Sequence, residues 1–376
     1  AQDEAREFVV TNEFGSIIEK AGGTGLNAST GYDVTTYFYQ LPSNKLELWA
    51  YLESERFQNP VMREFYTERD VVIEERRMRT DSSPIGRLIE EFLALAYIGH
   101  PYGRPLVGYR SDLDNFTREE AMELYREYYV PSNIVIGLAG DVDPEEARQL
   151  AEKYFGDWEP GPDPPVVRTV EPEQRGQRRI AMRDPGQPFL IMGWHKPAAD
   201  HPDAPAFDVL TTLLANGRSS RLHTRLVKDE KKAVAVGAIT QIPGELYPGL
   251  VMTFVVPGKG VGALETESAV LEEIQDIMDN GVDAEELIAG REPPSRFEVG
   301  LDLDHSAGDA RAKHDLPCGL HDAHGLESRD RRLAPGLDDL HHARRALPVL
   351  LRRGGRRGDE IARTEVAAAQ DGEGEY

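Results

Sequence analysis

The sequence has one cysteine, Cys318, and no run of about 18 uninterrupted apolar residues. A single cysteine excludes a disulfide bond within the chain, and the missing apolar run argues against a membrane-spanning helix. Basic residues are also few compared with acidic ones, 43 against 66, which leaves a net charge of −23. Because phosphate binding needs clustered lysine and arginine, we expect no nucleic acid partner. The acidic balance is compatible with basic peptide substrates, although solubility alone explains it as readily.

Two common catalytic motifs are missing as well. The Gly-x-Ser-x-Gly sequence, which carries the nucleophile of many hydrolases, does not occur. The stretch GGTGLNAST, residues 22–30, has neither a Gly-x-Gly-x-x-Gly spacing nor a lysine, so it does not indicate a phosphate site. We interpret it as a glycine-rich lead-in to a strand edge, which can accept an extended peptide as an additional strand.

The length of 376 residues suggests two domains of ordinary size. Strands and helices alternate over residues 1–158, which we assign to the first domain. Residues 159–179 are rich in proline and have no helical period, so they predict an extended linker. Similar elements recur in a similar order over 180–290, the second domain. Residues 291–376 are rich in arginine and histidine and have no apolar period, and are expected to be a disordered or frameshifted tail.

Several elements have clear local signals. Residues 33–42, rich in β-branched and aromatic side chains, predict a strand, and residues 133–140 predict a short buried one. Asn44 with Glu47, and Thr117 with Glu120, have the spacing of a capping box at a helix start. Further helices are predicted at 67–79, 86–99, 144–155, 206–215, 219–230 and 263–280, and further strands at 189–197, 232–240 and 250–258.

The stretch TERDVVIEERRMR, residues 67–79, contains Glu68 and Glu75 seven residues apart. At about 100° per residue, seven residues return to nearly the same side of a helix, so the two carboxylates share one face. Such a run is usually a solvated, salt-bridged face, and the spacing alone favours that interpretation.

The tail contains a second candidate site, with His314, Cys318, His321 and His324 spaced as zinc ligands can be. No periodic pattern around them indicates a packed scaffold, which argues against this site. Outside the tail, His195 and His223 lie within apolar elements and are expected to be structural, and His100 is expected to cap or pack at a helix end.

Taken together, several stretches resemble the insulinase and pitrilysin-type zinc peptidases, a family that includes the mitochondrial processing peptidase. Their order and spacing agree with the family over roughly residues 8–290, which is more specific than any single motif. The resembling stretches are residues 22–60, ERDVVIEERRMR, HPYGRPLVG, YYVPSNIVIGLAGDVD and NGRSSRLHTRLVKDE.

The resemblance implies a zinc site and a peptide-binding edge. In the family, a His-x-x-Glu-His helix and a distal glutamate bind zinc, and the glutamate within the motif is the general base. The distal ligand corresponds to Glu75, and a supporting acid that orients a ligand corresponds to Glu68. The strand edge that binds the substrate backbone corresponds to Asn27, Ala28 and Ser29.

The sequence departs from the family at the metal motif. No His-x-x-Glu-His occurs, and no histidine precedes His100. In the family this motif precedes the glycine-rich strand, so it would fall before Ala1. The chain is then either a fragment of a zinc-dependent metalloendopeptidase, inactive as given, or a non-catalytic peptide-binding or scaffold subunit of a two-chain peptidase. The retention of both Glu68 and Glu75 favours the fragment, which is expected to bind zinc weakly or not at all.

The resemblance also implies the fold and the setting. The expected fold is α+β, with two similar domains, each a mostly antiparallel sheet packed with helices, joined by the proline-rich linker. The expected substrate is a peptide, and the expected partner is a homologous chain or a second copy. Bacterial members of the family suggest a periplasmic or otherwise extracytoplasmic location.

Overall fold

A computed structural model describes residues 12–289 and 364–369 of the chain. The helices are α1 (Glu13–Lys20), α2 (Leu46–Gln58), α3 (Phe65–Arg76), α4 (Pro84–Ala96), α5 (Arg110–Asn115), α6 (Arg118–Tyr128), α7 (Pro144–Phe155), α8 (Ala204–Leu214), α9 (Ala263–Asn280) and α10 (Ala284–Ala289). The strands are β1 (Thr24–Thr30), β2 (Thr35–Gln40), β3 (Arg178–Arg183), β4 (Phe189–His195), β5 (Ala233–Ile242), β6 (Leu250–Pro257) and β7 (Thr364–Ala369).

The strands form two sheets. In the first half of the chain, β1 and β2 make an antiparallel hairpin that contacts α1 and α2. In the second half, five strands form one sheet in the order β3-β7-β4-β6-β5. Its pairs are antiparallel except for β3 with β7, which run parallel. The expectation of an α+β fold with mostly antiparallel sheets is confirmed.

The five-stranded sheet is buried on both faces, because successive side chains of a strand point to opposite sides. Along β4, Leu190 and Met192 contribute to one apolar cluster, with residues of α8 and α9, and Ile191 contributes to the other, with residues of α4. Every residue of β6 is buried. Such strands have a continuous apolar sequence, which is why 189–197 and 250–258 were predictable as strands.

Helix α4 belongs to the first half of the chain but packs on the sheet of the second half. Its Leu88, Phe92 and Ala96 are fully buried. Phe92 lies directly against Gly193 of β4, where a Cβ would come within 2.5 Å of Phe92 Cζ. The close approach of helix and sheet therefore depends on the missing side chain of Gly193. This contact joins the two halves through one core.

The predicted strand at 133–140 is wrong as a paired strand. Residues 134–139 lie in no helix or strand, and the Val135 side chain is 96% exposed. The segment follows the 3₁₀ turn Pro131–Asn133, and the backbone at Ile134 is extended. Its sequence favours an extended strand, but a strand requires a neighbour for its backbone groups, and none pairs with it among residues 12–289 and 364–369.

The two predicted capping boxes have different outcomes. At Thr117 the box is complete, since its Oγ1 accepts from the Glu120 amide and its own amide donates to the Glu120 carboxylate. At Asn44 the prediction is wrong, because Asn44 lies inside a 3₁₀ turn that follows Pro42, and α2 begins two residues later without a side-chain cap. Pro42 precedes the turn with an extended backbone (φ −55°, ψ 142°).

Two predicted helices contain π-helical turns that the sequence did not indicate. The chain continues from α3 into a π-helical turn, Arg77–Asp81, and the helix predicted at 219–230 is π-helical over His223–Asp229. A π turn differs from an α turn by one residue in its hydrogen-bond spacing, and apolar periodicity does not distinguish them.

The domain boundaries of the sequence analysis stay predictions. Residues 157–177 lie in no helix or strand, and β3 begins at Arg178. Strand β7 was not predicted, because the alanine-rich TEVAAA has little strand preference. Among the helices that the structure describes, none has the length and apolar character needed to cross a membrane.

The contact between Phe92 and Gly193 leads to a stability prediction. Gly193→Ala is expected to lower the free energy of unfolding by about 1–3 kcal/mol, because the added methyl group collides with a buried ring. Urea unfolding of the full chain measures it. Gly176→Ala is the control, since a Cβ there meets no atom within 4 Å. Phe92→Leu in the Gly193→Ala chain should recover part of the loss, and strictly additive losses would contradict the proposed collision.

Candidate metal and peptide-binding site

The two acidic residues selected from the sequence lie on α3. Glu68 and Glu75 are separated by two helical turns, about 10 Å along the axis, on nearly the same side. Glu68 is exposed, whereas Glu75 is half-buried with a side chain 25% exposed. The shared face is thus present, but their roles as metal ligand and supporting acid stay predictions.

Glu75 forms an ion pair with Arg79. Its Oε1 lies 2.9 Å from Arg79 Nη1, four residues further along the chain. Arg79 is in the π-helical turn that continues α3, and such turns occur frequently at functional sites. The preceding residue, Glu74, is also acidic and pairs with Arg77 on the solvent side of the helix. From the sequence, Arg69, Arg76 and Arg77 were the possible partners of Glu68 and Glu75, whereas the arginine that pairs with Glu75 is Arg79.

Arg76 fixes α3 to the core. Its guanidinium is buried and forms two hydrogen bonds to the Glu90 carboxylate of α4, at 3.0 and 3.1 Å. Its Nη1 also donates to the Gly108 carbonyl at 2.6 Å. The hydrogen bonds with Glu90 raise the pKa of Arg76 above its usual value, despite opposing desolvation. Because Glu75 precedes Arg76, this contact sets the position of the candidate ligand.

The predicted peptide-binding residues lie on β1, and each faces a residue of β2. The pairs are Asn27 with Phe38, Ala28 with Tyr37, and Ser29 with Thr36. Within the part of the chain that the structure describes, the other edge of β1 has no strand partner. The Asn27 side chain accepts the Ala28 amide at 2.8 Å. An open edge of this kind is the geometry that strand addition requires.

The hairpin is supported by a cluster of rings that the sequence analysis missed. The Arg56 guanidinium of α2 lies over the rings of Phe14, Tyr37 and Phe57, with 4.6 Å to the Tyr37 centroid. The Tyr37 hydroxyl lies 2.7 Å from that of Tyr129. Tyr37 and Phe57 were visible as aromatic residues in predicted elements, but their meeting depends on tertiary packing.

Two histidines of the described residues, His100 and His195, lie outside α3 and pack against the ring of Tyr97. His100 is buried and its Nδ1 accepts from the Tyr102 amide at 3.2 Å. Burial lowers the pKa of His100 and of His195, which favours the neutral rings. The expected capping role of His100 agrees with this geometry.

The described residues by themselves do not fit a zinc ion. Over residues 12–289 and 364–369 no group of three or more histidine, cysteine, aspartate and glutamate side chains is placed to hold a metal. Glu75 is a single carboxylate, and its charge is balanced by Arg79. The tail candidates His314, Cys318, His321 and His324 lie outside the described residues.

The sequence matches two models of one peptidase family. The model described as "Insulinase (Peptidase family M16)" matches residues 9–110, and the one described as "Peptidase M16 inactive domain" matches residues 115–292. Together they extend over both halves of the chain, including α3 and β1.

Curated relatives with similar sequences include a zinc protease and a processing-peptidase subunit. A zinc protease named PqqE from Helicobacter pylori is 35% identical over 234 residues, which are 61% of this chain and 52% of that protein. A probable mitochondrial-processing peptidase subunit beta from Schizosaccharomyces pombe is 27% identical over 54% of this chain and 47% of its own. The chain thus spans about half the length of these relatives.

Solved structures agree with the fold. A protease from Helicobacter pylori has a TM-score of 0.74 at 25% identity, covering 96% of this chain and 86% of that one. A peptidase M16 inactive domain from Pseudomonas fluorescens has a TM-score of 0.71 at 14% identity, covering 97% and 85%, a likeness of fold alone.

The anchoring of α3 can be tested at Arg76. Arg76→Met is expected to lower the free energy of unfolding by about 2–4 kcal/mol, because it leaves the Glu90 carboxylate partly buried without its partner. Arg77→Met is the matched control on the same helix, since its pair with Glu74 is fully exposed and its loss should be close to measurement error. Equal losses in the two variants, measured by urea unfolding, would refute an anchoring role for Arg76.

Proposed function

Because this chain belongs to the insulinase and pitrilysin-type peptidase family, we propose that it is part of a zinc-dependent metalloendopeptidase acting on oligopeptides or unfolded segments. Support comes from the two family models, which match residues 9–110 and 115–292, and from the zinc protease relatives. Two separate features of the described residues carry the proposal: the open strand edge of β1 and the half-buried carboxylate of Glu75 on α3.

In this proposal β1 binds the substrate backbone. A peptide in extended conformation adds as a strand along the edge that contains Asn27, Ala28 and Ser29, and its main chain supplies the hydrogen bonds. Such binding depends little on side chains, which suits substrates of varied sequence. The net charge of −23 favours peptides with basic residues.

Glu75 is the proposed metal ligand and Glu68 the proposed supporting acid. Zinc in a peptidase activates water and polarises a carbonyl group, and it requires several protein ligands. The described residues offer Glu75 without histidine neighbours, so we expect the chain as given to bind peptide without cleaving it and to retain little zinc.

The second candidate is a peptide-binding or scaffold subunit that works beside a homologous catalytic chain. The ion pair between Glu75 and Arg79 favours it, because that pair satisfies the carboxylate without a metal. The family model over residues 115–292 is described as an inactive domain, which agrees with a binding role for that half. A homologous chain or a second copy is the proposed partner in either case.

Peptide binding is tested with a fluorescein-labelled peptide of alternating valine and lysine. Fluorescence anisotropy with the 376-residue chain should show saturable binding. Methylating alternate backbone amides on the bonding edge of the peptide should weaken it about tenfold, because two lost hydrogen bonds cost about 1.4 kcal/mol. Equal affinity of methylated and unmethylated peptides would exclude binding by strand addition.

Cleavage and metal content test what the two candidates share, and a fusion that supplies the metal motif separates them. The same peptide, incubated with the chain and zinc with or without a chelator, should stay intact, and dialysed protein should contain well under one zinc per chain. Chelator-sensitive cleavage by the 376-residue chain would show that the missing ligands were misjudged. If a fusion supplying an upstream His-x-x-Glu-His segment binds the peptide and still does not cleave it, the scaffold subunit is the better assignment.

A further inference from the structure

A network of hydrogen bonds joins the turn of the β1–β2 hairpin to the second half of the chain. Asp33 lies in the turn between Thr30 and Thr35, four residues after Ser29. Its Oδ1 accepts from the Tyr102 hydroxyl at 2.5 Å. Its Oδ2 accepts from the backbone amides of Glu245 and Leu246 at 2.6 and 3.0 Å. One carboxylate in the hairpin turn thus binds groups from two other parts of the chain.

Tyr102 completes the connection. Its ring is buried, with 3% exposed, and its hydroxyl oxygen also accepts from the Tyr247 amide at 3.2 Å. The hydroxyl therefore donates to the hairpin turn and accepts from the loop 243–249, which joins β5 to β6. Burial raises the pKa of Tyr102, and the hydrogen bond to Asp33 raises it further, so the hydroxyl keeps its proton as a donor.

The loop is shaped for this carboxylate. At Gly244 a Cβ would collide with Asp33 Oδ2 and lie 2.6 Å from the Tyr102 hydroxyl oxygen. Consecutive backbone amides that point at one anion, as those of Glu245 and Leu246 do, form a favourable anion-binding arrangement. A charged acceptor makes such hydrogen bonds roughly twice as strong as neutral ones. Only a residue without a side chain at position 244 permits the contact.

The surrounding contacts are weaker and spread over the same junction. The Tyr97 hydroxyl donates to the Pro248 carbonyl at 3.2 Å, and the ring of His100 packs against Tyr247 with 5.0 Å between centroids. Asp33 itself is exposed apart from these bonds. Its replacement should therefore weaken the junction without disturbing either apolar cluster.

We propose that Asp33 is a positioning residue that, through Tyr102 and the loop 243–249, sets the place of the β1 peptide edge relative to the second half of the chain. This inference depends on the proposed function, since it gives the junction a task only if β1 binds extended peptides. A peptide added to β1 then extends toward the second half along a fixed direction. When the junction is broken, the turn of the hairpin and the β1 edge can move independently of that half.

The chain offers a graded series of variants and a matched control. Asp33→Asn keeps a single acceptor oxygen, so that an NH₂ group faces either the Tyr102 hydroxyl or the two amides, and Asp33→Ala removes both acceptors. Tyr102→Phe removes the hydroxyl and keeps the buried ring. Tyr154→Phe is the control, because the Tyr154 hydroxyl of α7 donates to the Glu47 carboxylate of α2 at 3.1 Å, within the first half and outside the hairpin.

Hydrogen exchange and peptide affinity are measured on each folded variant. We expect the amides of Glu245 and Leu246 to exchange faster in the Asp33 variants, while the amides of β4 and β6 stay protected. Affinity for the alternating valine–lysine peptide should fall about threefold in Asp33→Asn and about tenfold in Asp33→Ala and Tyr102→Phe. Tyr154→Phe should bind as the unmodified chain does.

A coupling measurement distinguishes positioning from general destabilisation. Gly244→Ala and Asp33→Ala should each weaken peptide binding, and the double variant should be no weaker than the worse single one, because both break the same junction. Additive losses, or unchanged peptide affinity in every variant of the junction, would overturn the positioning role. If the unmodified chain binds no peptide, the proposed function fails first and the role of the junction falls with it.

Discussion

The packing of Phe92 against Gly193 decides how the two halves of this chain meet. Helix α4 comes from the first half, yet its apolar side completes the core of the sheet in the second half. Burial of a large aromatic side chain contributes about 1.5–3 kcal/mol, and a helix with several such residues cannot leave its sheet at low cost. The position of α4 is therefore a fixed reference for the rest of the first half.

An ion pair connects the candidate site on α3 to α4. Arg76 joins α3 to Glu90 of α4, and Glu75 precedes it by one residue. The ion pair of Glu75 with Arg79 balances the charge of the carboxylate without a metal and holds the side chain in one orientation. A metal would have to compete with that arginine. The same geometry is compatible with a peptidase part that awaits further ligands and with a binding subunit.

The proposed peptide-binding edge of β1 is held in place by other contacts. The β1–β2 hairpin is a small sheet, and a two-stranded hairpin has little stability alone. It is supported on one side by the rings around Arg56 and at its turn by the Asp33 junction. Both supports leave the outer edge of β1 open. A rigid strand with an open edge binds an extended peptide with a small loss of conformational entropy, which is what strand addition requires.

The sequence by itself determined the elements whose signals are local. The capping box at Thr117, the buried strands β4 and β6, and the shared face of Glu68 and Glu75 follow from spacings of a few residues. Tertiary structure decided the rest, because it depends on distant partners. Residues 134–139 have the composition of a strand but no neighbour to pair with among the described residues. Asp33 meets a loop 212 residues further along the chain, and no local pattern encodes such a contact.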